Sequence, residues 1–100
     1  MSKFVWDDDK FESNIRKHGV SFVEAVTVFD DDEVQYYYDH SHSGNEDRFI
    51  ALGMSRFSNL LVVCHCYWEN DEYIRVISAR EATKTEKKYY EEGVYNAGHY

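Results

Sequence analysis

His65, Tyr67, Arg75 and Arg80 fall within sixteen residues of this 100-residue chain. Arg48 precedes them, and Arg56 sits in a turn between. Arginine's planar fork matches phosphate oxygens in both geometry and charge. Histidine moves protons near neutral pH. A sheet face or rim carrying His, Tyr and several Arg, without paired carboxylates, suits phosphate chemistry better than sugar hydrolysis. The chain has no Gly-rich phosphate loop, no H-E-x-x-H, no G-x-S-x-G and no C-x-x-C.

Strands must position these side chains. Leu60 to Glu69 reads as a long central strand, with Cys64 and Cys66 on one face and His65, Tyr67 and Glu69 on the other. Asn70-Asp71 reads as a polar hairpin turn. Tyr73 to Ala79 pairs back. Strict alternation puts Ile74, Val76, Ser78 and Arg80 on one face of that strand, with Tyr73, Arg75, Ile77 and Ala79 opposite. Val34 to Tyr38 and Arg48 to Met54 are two further β-prone runs. The two cysteines lie roughly 6.8 Å apart along the backbone with parallel Cβ atoms. A disulfide wants ~3.8 Å, so they are expected reduced and packed on the inner side of the sheet. His40 and His42 fall in a Ser/Gly-rich stretch with no third donor in the sequence nearby. A solvated loop is expected there, not a metal site.

Helices flank the strands. Lys3 to Trp6 is a brief first strand. Asp7-Asp8-Asp9 then supplies an N-cap and acids for a helix from about Asp8 to His18, which Gly19 ends. Phe11 and Ile15 are its expected apolar stripe. Ser21 and Glu24 form a capping-box pattern. Phe22, Ala25, Val26 and Phe29 follow at helical spacing, to about Asp30. Asp31, Asp32 and Glu33 read as a solvated acidic turn. Thr83 and Glu86 repeat the capping-box pattern and open a terminal helix to about Glu92. The order β-α-α-β-β-β-β-α with short turns predicts a compact α+β domain over 1–92. A loose tail is expected over 93–100.

The formal net charge is −8, which argues against nonspecific nucleic-acid binding. The charge is uneven. Residues 1–40 carry ten acids against four bases, and residues 73–90 carry five bases against two acids. The basic segment therefore holds both late arginines. No apolar run approaches the ~20 residues of a membrane span, and the first residues lack a signal peptide's apolar core. A cytoplasmic location is expected.

Several stretches together resemble the BrnT family. They are Lys17-His18-Gly19-Val20-Ser21-Phe22, Ala25 to Asp31, Arg48-Phe49-Ile50-Ala51-Leu52-Gly53, and Ile74-Arg75-Val76-Ile77-Ser78-Ala79-Arg80 with Ala82-Thr83 and Tyr90-Glu91. The resemblance spans about residues 4–92, and the motifs keep their order. It implies a RelE-like fold, with an antiparallel sheet packed against two N-terminal helices and a C-terminal helix. It also implies a ribonuclease that blocks translation, without metal or other cofactor, and that a cognate BrnA-type antitoxin holds inactive. Operator DNA would be contacted only through the antitoxin. In RelE-like cleavage the RNA 2′-hydroxyl attacks the adjacent phosphorus, on or off the ribosome. The resemblance makes Arg75 and Arg80 phosphate holders and matches Arg48 to a basic family position. His65 and Tyr67 are assigned proton transfer from their shared strand face.

The strongly acidic chain supports a second reading, a catalytically attenuated member that binds its antitoxin and tunes repression. Asp31-Asp32-Glu33 stands where relatives often carry a proline, and Trp68 where they often carry a charged or small polar residue. A third reading is a homodimer formed through a strand edge or aromatic patch.

Overall fold

A computed structural model describes residues 3–93, so residues 94–100 of the expected tail lie outside it. Its elements are β1 (Lys3–Val5), α1 (Asp8–His18), α2 (Phe22–Ala25), a 3₁₀ turn (Val26–Asp30), β2 (Gln35–Tyr38), β3 (Phe49–Met54), β4 (Leu60–Trp68), β5 (Tyr73–Glu81) and α3 (Lys84–Glu92). The strands form one sheet in the order β1-β5-β4-β3-β2. The four later strands are antiparallel neighbours. β1 instead joins the edge of β5 in parallel, with Lys3 beside Tyr73 and Val5 beside Arg75. No short turn links β1 to its neighbour, so nothing forces the antiparallel direction on it. Among the described residues no helix is long and apolar enough to cross a membrane.

Local chemistry sets the helix ends. Asp7 Oδ1 accepts from the amides of Asp9 and Lys10 at 2.8 and 3.2 Å. Gly19 closes α1 at φ 69°, and its amide donates to the Ile15 carbonyl. The buried face of α1 differs from the expected stripe. Ile15 is 42% exposed, and Asn14 is buried instead. Its side-chain amide donates to the carbonyls of Val20 and Ala79, each at 2.8 Å, and its Oδ1 accepts from the Ala79 amide at 3.0 Å. β1 covers β5 only as far as Arg75. Asn14 thus serves the bare edge of β5 where a neighbouring strand would otherwise run.

The first capping box does not form. Ser21 Oγ accepts from the Val23 amide at 3.0 Å. Glu24 instead reaches Ser55 Oγ at 2.7 Å and Asn59 Nδ2 at 2.8 Å, so tertiary donors outcompete the local amide. The second box does form between Thr83 and Glu86. Asp31 is no solvated turn residue. It accepts from the Met54 amide at 2.8 Å, from the Glu33 amide and from the Tyr90 hydroxyl, tying α3 to the body. Burial would raise its carboxyl, but these donors outweigh burial and hold it below the ordinary value.

The sheet has a covered and an open face. The covered face packs Phe22, Ala25 and Val28 against Ala51, Leu61, Val63, Val76 and Ala79. On the other face α3 covers only one end, with Tyr90 and Ala82 packed near Tyr37, Leu52 and Val62. Gly53 lies where the 3₁₀ turn crosses β3. A Cβ there would stand 3.0 Å from Val34 Cγ2 and 3.2 Å from the Val28 carbonyl oxygen. Gly53→Ala is expected to lose about 1–3 kcal/mol in urea unfolding. A loss below about 0.5 kcal/mol would contradict this close approach.

Candidate active site

The sheet register decides which side chains meet. Val63 pairs with Ala79 and Cys64 with Ser78, but His65 pairs with Val76. Ile77 is the extra residue of a β-bulge on β5. The inserted residue reverses the parity of everything before it. Val76 and Ala79, three apart, both enter the covered core, while Ile77 packs with Cys64 and Cys66 on the open face. Strict alternation had separated Arg75 from Arg80. The bulge corrects this and sends both to the open face.

Three arginines stand on that face. Arg80 donates from Nη1 and Nη2 to the two oxygens of Glu86 at 2.8 and 2.9 Å. Burial would raise the Glu86 carboxyl, but Arg80 and the Thr83 amide overcome it and hold it below the ordinary value. Arg75 stacks over the Trp68 ring at 5.1 Å and lies 3.5 Å from Glu46 Oε1. Arg48 lies 4.0 Å from the same Glu46 oxygen. Its Nε is buried with no hydrogen-bond acceptor among the described residues. A hollow of about 290 Å³ opens on this face, and Arg75 lies outside its lining. Arg48 and Arg80 line it, together with Asp39, His42, Cys64 and Ser78.

The cysteines, expected on the inner side, pack with Ile77 on the open face rather than against the helices; Cys64 lines the hollow, and both are free thiols. Burial, and next the Asp39 carboxylate, push the Cys64 thiol up to about 11. Burial raises Cys66 as well. Neither is a thiolate near neutral pH.

His65 and Tyr67 lie on the other side of the sheet. His65 is fully buried among Phe29, Tyr36 and Phe49. Its Nδ1 is 3.2 Å from the Val63 carbonyl, which can only accept, so Nδ1 carries the proton. Nε2 then accepts from the Tyr67 hydroxyl at 3.2 Å. Burial depresses His65 to about 4, and the Val63 carbonyl offsets this only in part. A neutral, satisfied ring behind the sheet cannot pass protons to a phosphate on the front. The structure does not bring His65 and Tyr67 to the three arginines.

The residues that do reach the hollow from the expected solvated loop are Asp39 and His42. His42 Nδ1 lies 3.0 Å from Asp39 Oδ2. The loop is fastened at its base. The Asp39 amide donates to the Arg48 carbonyl at 2.9 Å, and Ser43 Oγ donates to the Asp39 carbonyl while accepting from the Arg48 amide. The Asp-His-Ser-His-Ser pattern was visible, but composition alone gives no sign that the loop folds back over the sheet. Among the described residues no three His, Cys, Asp or Glu side chains gather as metal ligands.

A five-stranded sheet with two N-terminal helical segments on one face, and with arginines and α3 on the other, defines an α+β domain. Its fold is similar to the crystal structure of the Brucella abortus ribonuclease toxin BrnT, with a TM-score of 0.64 and 23% identity over 84% of this chain and 100% of that one. Residues 6–86 match the family of the ribonuclease toxin BrnT of type II toxin–antitoxin systems. The chain belongs to the BrnT family. Among curated proteins no relative matches it.

Proposed function

We propose that the chain is a ribonuclease that cleaves RNA on the open face of its sheet, blocks translation in the cytoplasm and is neutralised by a BrnA-type antitoxin. The observation that carries this reading is the bulge at Ile77, which sets Arg75 and Arg80 on one face with Arg48. The Arg48 and Arg80 guanidiniums on the hollow, with Arg75 beside them on the same face, hold a phosphodiester and the extra charge of its pentacoordinate state. The RNA 2′-hydroxyl supplies the nucleophile, so this route calls for no metal.

A second reading has its own observation. Both arginine groups are occupied by carboxylates, Arg80 by Glu86 and the Arg48–Arg75 pair by Glu46. That arrangement favours an attenuated member that serves as an antitoxin-binding module and co-repressor.

Inducible expression in bacteria without antitoxin separates the two. Wild type is expected to arrest growth and fragment RNA. Arg48→Ala is expected to abolish both while remaining folded, because among the described residues its guanidinium makes only a 4.0 Å ion pair. Arg80→Ala is expected to do the same, with thermal unfolding run beside it because Arg80 also anchors α3. Normal growth with soluble wild-type protein selects the binding module. Full toxicity in a folded Arg48→Ala, Arg75→Ala, Arg80→Ala triple variant removes the site from the open face.

A further inference from the structure

We propose that His42 is the general base of RNA cleavage and Asp39 its positioning partner; this rests on the ribonuclease reading above and names the proton acceptor that reading lacks. The geometry is that of a carboxylate–imidazole pair at a phosphate site. The Asp39 side chain is 10% exposed and that of His42 is 67% exposed. A buried carboxylate thus holds one ring nitrogen of a histidine that reaches solvent. A carboxylate only accepts, so the proton sits on Nδ1 and Nε2 carries the free lone pair. Ser41 Oγ donates to Asp39 Oδ1 at 3.3 Å, and the Ser43 bonds lock the turn, so the carboxylate is itself oriented. Both residues line the hollow beside Arg48 and Arg80.

The step balances with the groups present. His42 Nε2 removes the 2′-hydroxyl proton as the 2′-oxygen forms its bond to phosphorus. The bond from phosphorus to the 5′-oxygen breaks, leaving a 2′,3′-cyclic phosphate. A water protonates the departing 5′-oxygen, and the hydroxide so formed takes the proton from the His42 imidazolium. Asp39 stabilises that imidazolium, and the arginines hold the phosphoryl oxygens. The other titratable groups around the hollow are His18 at the end of α1, Arg48 at the start of β3, Cys64 on β4 and Arg80 on β5.

The test is single-turnover cleavage of RNA by the purified full chain across pH. Wild type is expected to leave 2′,3′-cyclic ends. His42→Gln is expected to cut about 100-fold more slowly or worse, with an unchanged melting temperature because the ring is exposed. The acid limb of its kcat/KM profile is expected to vanish. Asp39→Asn is expected to lower kcat about 10-fold or more with KM unchanged, and to shift that acid limb. His40→Ala, whose ring instead packs on Tyr38, is expected to cut at the wild-type rate. Wild-type cleavage with an equal rate and unaltered profile in His42→Gln overturns this assignment alone. A folded wild type that leaves RNA and ribosome-bound RNA intact overturns the ribonuclease reading and this inference with it.

Discussion

Asn14→Leu is expected to lose about 4 kcal/mol of unfolding free energy, roughly half of what a domain this size possesses. Leucine fits the helix and the volume, so neither propensity nor a cavity causes the loss. It comes from three backbone groups. The carbonyl of Val20 and both the amide and carbonyl of Ala79 take their bonds from Asn14. All three lie in the covered interior, away from water. A buried polar group left without a partner costs about 1–3 kcal/mol. Asn14→Asp is expected to be worse still, because its carboxylate would face two carbonyl oxygens. Urea unfolding followed by tryptophan fluorescence reads the effect as a lower midpoint with an unchanged slope. A loss under about 1 kcal/mol would mean that water or a shifted strand replaces the amide.

The second large effect is acid instability from His65. Its folded value of about 4 lies below the ordinary 6.5, so the unfolded chain binds more protons between those values. The neutral ring's contribution is fully present above pH 6.5 and is lost as pH falls toward 4. From pH 7.5 to pH 5 wild type is expected to lose about 2 kcal/mol through this group. His65→Phe keeps the aromatic contacts with Phe29 and Phe49 but has nothing to protonate. It removes the ring's bonds to the Val63 carbonyl and the Tyr67 hydroxyl, so at pH 7.5 it is expected to be about 1–2 kcal/mol less stable than wild type. Its own fall between pH 7.5 and pH 5 is expected to be much shallower. Parallel pH profiles for the two proteins would show that the imidazole is free to protonate in the fold.

Element order was legible because local signals agreed. Asp7 and Gly19 bound α1, Thr83 and Glu86 open α3, and β-prone runs mark the strands. The α+β class followed from that order together with the family resemblance. Long-range effects were not legible. Nothing local distinguishes Asn14 from a surface polar residue, since its partners are Val20 and Ala79. Glu24 left its capping box for donors in the turn before β4. The arginines were recognised by type, yet their faces were misread. Alternation assumes one residue per pleat, and Ile77 breaks that assumption without any glycine or proline to announce it. His65 shared a strand face with Tyr67 as expected, but which face the helices would cover was not written in that strand.

The parallel seam between β1 and β5 also sets a timetable. Residues 3–5 find their partners only at 73–75, and Asn14 must wait for Ala79, 65 positions later. A chain emerging from the ribosome can form its β2–β4 hairpins early, but its first strand and first helix lack their β5 partners until residues 73–79 have emerged. Arg75 and Arg80 arrive on that same last strand. The arginine face and the stable fold are completed together, once β5 has emerged.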